Sequence, residues 1–163
     1  MLLRRSTIVV VLLVLLAGIA AASVSAASAG SGPNLNNLKS GNGGYTVTFG
    51  DKSTSAGQNL VIQPMSLNNY ITQGQVLWAQ KTVSGFSTYI DADLYWGNPS
   101  NSLSLTVYTP DGYVYGPYYD NCDGLLNGNI PVQLTKSSGI ADGTYYYEII
   151  GCKVTGSQYL TFT

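Results

Sequence analysis

Residues 90–112, IDADLYWGNPSNSLSLTVYTPDG, decide the fold. Apolar side chains fall at every second position, first Ile90, Ala92, Leu94 and Trp96, then Leu103, Leu105 and Val107. That is the spacing of half-buried strands whose alternate side chains meet a core. Gly97-Asn98-Pro99-Ser100-Asn101-Ser102 separates the two runs, and Thr109-Pro110-Asp111-Gly112 follows them. Proline presets φ, Asp bonds its own backbone and Gly accepts the positive φ that closes a turn. The stretch therefore predicts a strand, a loop, a strand and a tight turn. Together these make a core-forming hairpin with Ile90, Leu94, Trp96, Leu105 and Val107 on its inner face.

The same period recurs on both sides. Tyr45, Val47 and Phe49 alternate with threonines, the turn 50–53 follows, and residues 60–65 form a second run that ends near Pro64. Residues 76–83 make a third, contested between the Val76/Trp78 face and the Leu77/Ala79 face; the larger burial of an indole argues for Trp78. Residues 114–119, 130–134, 143–150 and 158–163 complete the set, with a Gly-punctuated loop at 121–129. No stretch of residues 45–163 has a helical period long enough to nucleate a helix. Eight or nine short strands divided by turns predict an all-β, antiparallel β-sandwich. Asp142-Gly143-Thr144-Tyr145 adds a detail: a Tyr opening a late strand after such a turn bonds its hydroxyl back to the preceding connection. Tyr145, Tyr147 and Ile149 would then face the core, and Tyr146 and Glu148 the outside.

Ahead of this domain, Arg4 and Arg5 precede an apolar run at 8–22 and small residues at 23–30. That order reads as a helical secretory signal over residues 1–27, or as a retained anchor of the same extent. Residues 28–44, rich in Gly, Ser and Asn, read as a flexible linker to the sandwich at 45–163. An exported chain keeps Lys39, Lys52, Lys81, Lys136 and Lys153 against eight acids, a net charge of 5 − 8 = −3. A mildly acidic surface without Arg disfavours nucleic acid, and no polybasic segment addresses anionic lipid, which leaves membrane contact only to an uncleaved N-terminal segment. Cys122 and Cys152 are the only cysteines; in an oxidising compartment they pair as a disulfide, the alternative being two half-buried thiols.

Four segments in order carry a family likeness: Asp93-Leu94-Tyr95, then Leu105-Thr106-Val107-Tyr108-Thr109-Pro110-Asp111-Gly112, then Gly139-Ile140-Ala141-Asp142-Gly143-Thr144-Tyr145-Tyr146, and Tyr159-Leu160-Thr161-Phe162. Over residues 59–163 the chain resembles the pre-peptidase C-terminal domain in a stand-alone form. The resemblance implies a secreted, jelly-roll-like β-sandwich. Such domains usually accompany extracellular proteases, and some bind calcium, collagen-like chains or polysaccharides. No protease segment accompanies the module here.

Chemistry is sparse. There is no His, and Glu148 is the only Glu, which removes the usual general base, every His-dependent triad and imidazole zinc ligands. Asp91 and Asp93 form a same-face carboxylate pair; on a strand such acids usually serve to discourage edge pairing. The expectation is therefore a protein that is not an enzyme and requires no cofactor. Asp120, Asn121 and Asp123 offer oxygen ligands in a Gly-ended loop, a partial calcium set that lacks the closing Glu and carries Cys122 at a ligand position. Thirteen tyrosines in a weakly charged chain need another account. Tyr89 and Tyr95 flank Asp91 and Asp93, and Tyr113, Tyr115 and Tyr119 share one face of the next strand. An outward aromatic row stacks on sugars or anchors a protein partner, or packs across strands without any ligand. These residues predict an exported binding module for a polysaccharide or envelope protein outside the cell or on its surface. The alternative is a subunit of a surface assembly that donates residues 45–49 as a strand, and a hydrolase built on Asp91 and Asp93 is the third reading.

Overall fold

The computed structural model describes residues 32–34, 36–50, 61–63 (backbone only) and 67–163. The N-terminal signal or anchor, the first residues of the linker, the turn at 51–53 and the flanks of the second strand lie outside the described residues. Among the described residues there are eleven strands: β1 (Lys39–Ser40), β2 (Thr46–Phe49), β3 (Val61–Gln63), β4 (Leu67–Thr72), β5 (Val76–Ser84), β6 (Tyr89–Tyr95), β7 (Ser102–Tyr108), β8 (Tyr113–Tyr119), β9 (Asn129–Thr135), β10 (Gly143–Lys153) and β11 (Ser157–Phe162). They form a six-stranded sheet A, in the order β1-β8-β7-β10-β5-β3, and a five-stranded sheet B, β2-β9-β6-β11-β4. Ring contacts cross between the sheets, Tyr147 on Phe162 with centroids 4.8 Å apart and Phe49 on Tyr118 at 5.0 Å. The architecture is an all-β sandwich.

The core holds Ile90, Ala92, Leu94 and Trp96 from sheet B, and Leu103, Leu105 and Val107 from sheet A. Every inner residue expected in 90–112 is buried, yet the stretch is not a hairpin. β6 and β7 belong to different sheets, joined by an arch that Trp96 braces by donating its indole N–H to Asn98 O (2.9 Å) and Asn101 O (3.2 Å). A period of two reports which face is buried, and both facing sheets satisfy it equally. The hairpin lies one connection later, between β7 and β8. There Gly112 N bonds Thr109 O (3.0 Å), Thr109 N bonds Tyr113 O (2.9 Å), and Gly112 takes the φ of 87° that the turn requires.

Four further expectations change. Residues 39–40, placed in the linker, pair with β8 in parallel, so the sheets are not wholly antiparallel. β4 was not expected; it pairs with β11 throughout. On β5 the buried residues are Leu77, Ala79, Lys81 and Val83, the face opposite Trp78. Trp78 instead covers the outer face of sheet A, its ring 5.4 Å from Tyr108 and pressed by Gly32, where a Cβ would come within 2.8 Å of the indole. Finally, residues 46–49 pair within the chain, with β9.

Tyr145 behaves as its place after the turn predicts: its hydroxyl donates to Ala141 O (3.0 Å). Tyr145, Tyr147 and Ile149 are fully buried, and Tyr146 and Glu148 alternate outward. The Tyr145 hydroxyl also lies 3.2 Å from that of Tyr45, which accepts from Ala141 N (3.1 Å) and donates to Asp111 (3.2 Å). Tyr145→Phe removes a buried donor and leaves the Ala141 carbonyl without it. The expected loss is about 1–3 kcal/mol, read from urea unfolding; an unchanged midpoint would contradict this role.

Buried phenols also set an alkaline limit. Burial, then the hydrogen bond and charge of Glu148, push Tyr108 up to about 12, and burial pushes Tyr118 to about 12. Tyr145 and Tyr147 are raised further, chiefly by burial. These folded values exceed that of a free phenol, near 10. Their stabilisation is therefore complete below about pH 10 and is lost as pH rises through about 12. Urea midpoints should be level up to about pH 10 and fall above it as phenolate absorbance grows. A midpoint unchanged to about pH 12 would contradict the assignment.

Candidate functional site

On β6, Tyr89, Asp91, Asp93 and Tyr95 alternate with the buried Ile90, Ala92 and Leu94, so all four stand in one column on the outer face of sheet B. β6 is central, with β9 on one side and β11 on the other. Register decides what surrounds the column. Tyr95 lies opposite Thr161, which places Tyr159, two residues back on β11, on the diagonal; Tyr159 lies directly opposite Tyr70 on β4. Diagonal positions are within reach of aromatic side chains. Tyr95 (54% exposed), Tyr159 (45%) and Tyr70 (60%) thus form an outward row over three strands. The Tyr70 and Tyr159 rings are 5.2 Å apart, edge to face.

Polar groups adjoin the row. Gln133 on β9 stands opposite Asp91 and donates its side-chain N–H to Asp91 Oδ1 (2.9 Å), holding that carboxylate against the sheet. Asp93 stands opposite Pro131, and its backbone pairs with Thr163 in both directions. From inside the sandwich, Lys81 Nζ donates to the backbone carbonyl of Asp91. The face offers flat apolar rings next to acceptors and amides, and that combination suits a ligand with both CH faces and hydroxyls. Neither Tyr70 nor Tyr159 carries a binding-site signal in the sequence. Tyr159 stands among signals typical of any strand, and Tyr70 lies in a segment whose only strong apolar residues are Leu67 and Ile71.

The second expected aromatic set does not join the first. Tyr113, Tyr115 and Tyr119 lie on β8, in sheet A, and do not share a face. Tyr115 is buried against Tyr45 (5.7 Å), Tyr113 is half-buried, and Tyr119 is exposed. The β7–β8 register shifts between Leu105 and Val107, opposite Gly116-Pro117, and the alternation slips there by one residue.

Asp120, Cys122 and Asp123 fall in a 3₁₀ turn, Asp120–Asp123. Asp120 is buried, and its carboxylate accepts the backbone N–H groups of Asn127 (3.1 Å), Gly128 (2.9 Å) and Asn129 (3.0 Å). Asp123 Oδ1 accepts from Leu125 N (3.0 Å), and Asn121 is exposed. The two carboxylates thus serve the backbone of their own loop, and among the described residues no three acidic, Cys or His side chains cluster as metal ligands. The loop fits tightly: a Cβ on Gly128 (φ 73°) would come within 2.7 Å of Gly97 N. The expected disulfide is absent, since Cys122 and Cys152 are both free thiols. Cys122 packs against the core, and burial, then the charge of Asp123, pushes its thiol up to about 11. Cys152 is the extra residue in the β10 bulge opposite β7, on the outward alternation, with β7 between it and β8.

A concavity of about 370 Å³ opens on sheet A, lined among others by Pro33, Leu38, Tyr108, Thr144 and Tyr146. The nearby Glu148 accepts from the Tyr108 hydroxyl (2.9 Å).

Over 47 residues the chain is 49% identical to an uncharacterised protein of Archaeoglobus fulgidus, a stretch that makes up 29% of this chain and 65% of that protein. The match thus spans just under two thirds of that relative's length. No family model matches the chain.

The role given to Asp120 is testable. Asp120→Ala should cost about 2–3 kcal/mol through loss of charge-assisted bonds to the N–H groups of Asn127, Gly128 and Asn129, equally with calcium or chelator. A loss confined to calcium-containing buffer would return Asp120, Asn121 and Asp123 to a metal role.

Proposed function

We propose that the protein is an exported, non-catalytic binding module that takes a polysaccharide on the outer face of sheet B. The observation that carries this is the exposed Tyr70–Tyr159–Tyr95 row beside the Asp91, Asp93 and Gln133 column. Aromatic rings on a rigid sheet stack on sugar CH faces at little entropic cost, and carboxylates and amides next to them accept and donate to hydroxyls. A central strand between two partners fixes the column, as precise recognition requires. Export and the pre-peptidase C-terminal, jelly-roll kinship are parts of the same proposal, resting on residues 1–27 and on the segments quoted above. Strand donation by residues 45–49 is the weaker alternative, because residues 46–49 already pair with β9.

Depletion from solution by insoluble glucan, chitin and cell-wall polysaccharide, together with a glycan array, tests the reading. Tyr159→Ala and Tyr95→Ala should each weaken binding by about tenfold or more, as expected for loss of one stacking ring. Melting temperatures should hold, since both rings are exposed. Tyr146→Ala, on the opposite sheet, should bind normally. Capture of an envelope protein in place of every glycan, or glycan binding indifferent to the row, would overturn the proposal.

A further inference from the structure

Charge on the outer face of sheet B is confined to one strand. The outward positions of β2, β4, β9 and β11 hold only Thr, Ser, Asn, Gln, Pro and Tyr. On β6, Asp91 and Asp93 stand there between Tyr89 and Tyr95. Among the described residues the cations are Lys39, Lys81, Lys136 and Lys153, and none stands on that face. Lys39 lies over the Tyr113 ring of β8, and Lys136 lies over the Tyr45 ring, 3.6 Å from the Asp111 carboxylate. Lys153 ends β10 in sheet A, and Lys81 approaches the Asp91 backbone carbonyl from the core. Even with Lys81 counted from the inner side, the column carries 1 − 2 = −1.

The acids suit an organic cation better than a metal ion. Among the described residues no third His, Cys, Asp or Glu joins them, so the ligand count of a calcium cage is not reached. Gln133 ties Asp91 Oδ1 to the neighbouring strand, and a carboxylate has lone pairs for further donors. Outward side chains two apart on a strand lie about 6.5 Å from each other. An ammonium between Asp91 and Asp93 can therefore meet both carboxylates, and one between Asp93 and Tyr95 meets a carboxylate and a ring. A glycan stacked on Tyr95 and Tyr159 strips water from the acids beside it. A neutral sugar leaves that cost uncompensated, and a uronate or phosphate adds repulsion. A sugar amine brings the opposite charge together with N–H donors.

We propose that the outer face of sheet B selects its glycan by charge: it takes polysaccharides that carry free amines and rejects those that carry carboxylates or phosphates. Asp91 and Asp93 set this specificity, and the tyrosine row supplies the stacking. The inference rests on the polysaccharide reading of the row, and adds to it the class of sugar.

Titration calorimetry with soluble hexamers of glucosamine, N-acetylglucosamine and galacturonate, in mildly acidic buffer where amines are protonated, decides the matter. The amine form should bind about fivefold or more tighter than its acetylated counterpart at low salt. That preference should shrink toward unity at about 1 M NaCl, where the screening length falls to about 3 Å. The galacturonate should not bind. Asp91→Asn and Asp93→Asn, close in shape to the native residues, should each reduce the preference while the acetylated hexamer still binds through Tyr159. Glu148→Gln, which removes an acid from the outer face of sheet A, should leave the preference unchanged. Equal binding of the two neutral-backbone hexamers, lost for both in Tyr159→Ala, would overturn this inference and leave the polysaccharide reading standing. No glycan bound at all would end both. A preference that survives in both Asp variants would be attraction to the chain as a whole and would also overturn the proposal. So would a wild-type preference indifferent to salt, whether or not either variant folds.

Discussion

The sandwich depends on one polar node. The Tyr145 hydroxyl meets the Ala141 carbonyl and the Tyr45 hydroxyl, and Tyr45 reaches Asp111; Lys136 lies 4.6 Å over the Tyr45 ring and 3.6 Å from the Asp111 carboxylate. Three connections converge there: the entry to β2, the β7–β8 turn and the segment before β10. Each brings backbone groups out of water that cannot be left unpaired. At the other end, Asn101 does comparable work, accepting from Thr155 N (3.0 Å) and donating to Gln158 (2.7 Å), which itself donates to Trp96 O (3.0 Å). Between the two nodes the core is almost entirely apolar, so these side chains fix how the sheets meet at their ends.

What could be read in the sequence was what is local. Alternation in 90–112 reports burial, and the Tyr145 corner lies within four residues of its acceptor, so both were legible. Partition between sheets was not, because strands from facing sheets carry the same inner-face pattern. Trp78 shows a second limit. One indole weighs more than one alanine, but the opposite face of β5 buries four consecutive alternate residues, and Trp78 finds cover outside, beneath Gly32. β4 is a strand because β11 pairs with it along its whole length, and the segment LNNYIT carries little strand signal of its own. Non-local pairing of this kind leaves almost no trace in a window of six residues.

The candidate site divides along the same line. Tyr89, Asp91, Asp93 and Tyr95 stay together because one regular strand holds all four. The same rule groups Tyr113, Tyr115 and Tyr119, but the register shift opposite Gly116-Pro117 brings Tyr118 to the core side and turns Tyr119 outward, while Tyr113 and Tyr115 stay on the core side. The two cysteines fail for a related reason: spacing along the chain does not tell which side of sheet A each thiol takes. Tyr70 and Tyr159 enter the site only through interstrand register.

Lys81 shows why a charge is tolerated in such a core. β11 does not extend beside Asp91, so that carbonyl needs a donor from elsewhere. A Ser or Thr on β5 would be too short to cross the sandwich, whereas the apolar lysine stem can pack among Leu77, Ala79 and the Tyr147 and Phe162 rings while its head reaches sheet B. A methionine of similar length would fill the volume and leave the carbonyl bare. The amine is therefore placed by the demand of one unpaired backbone acceptor.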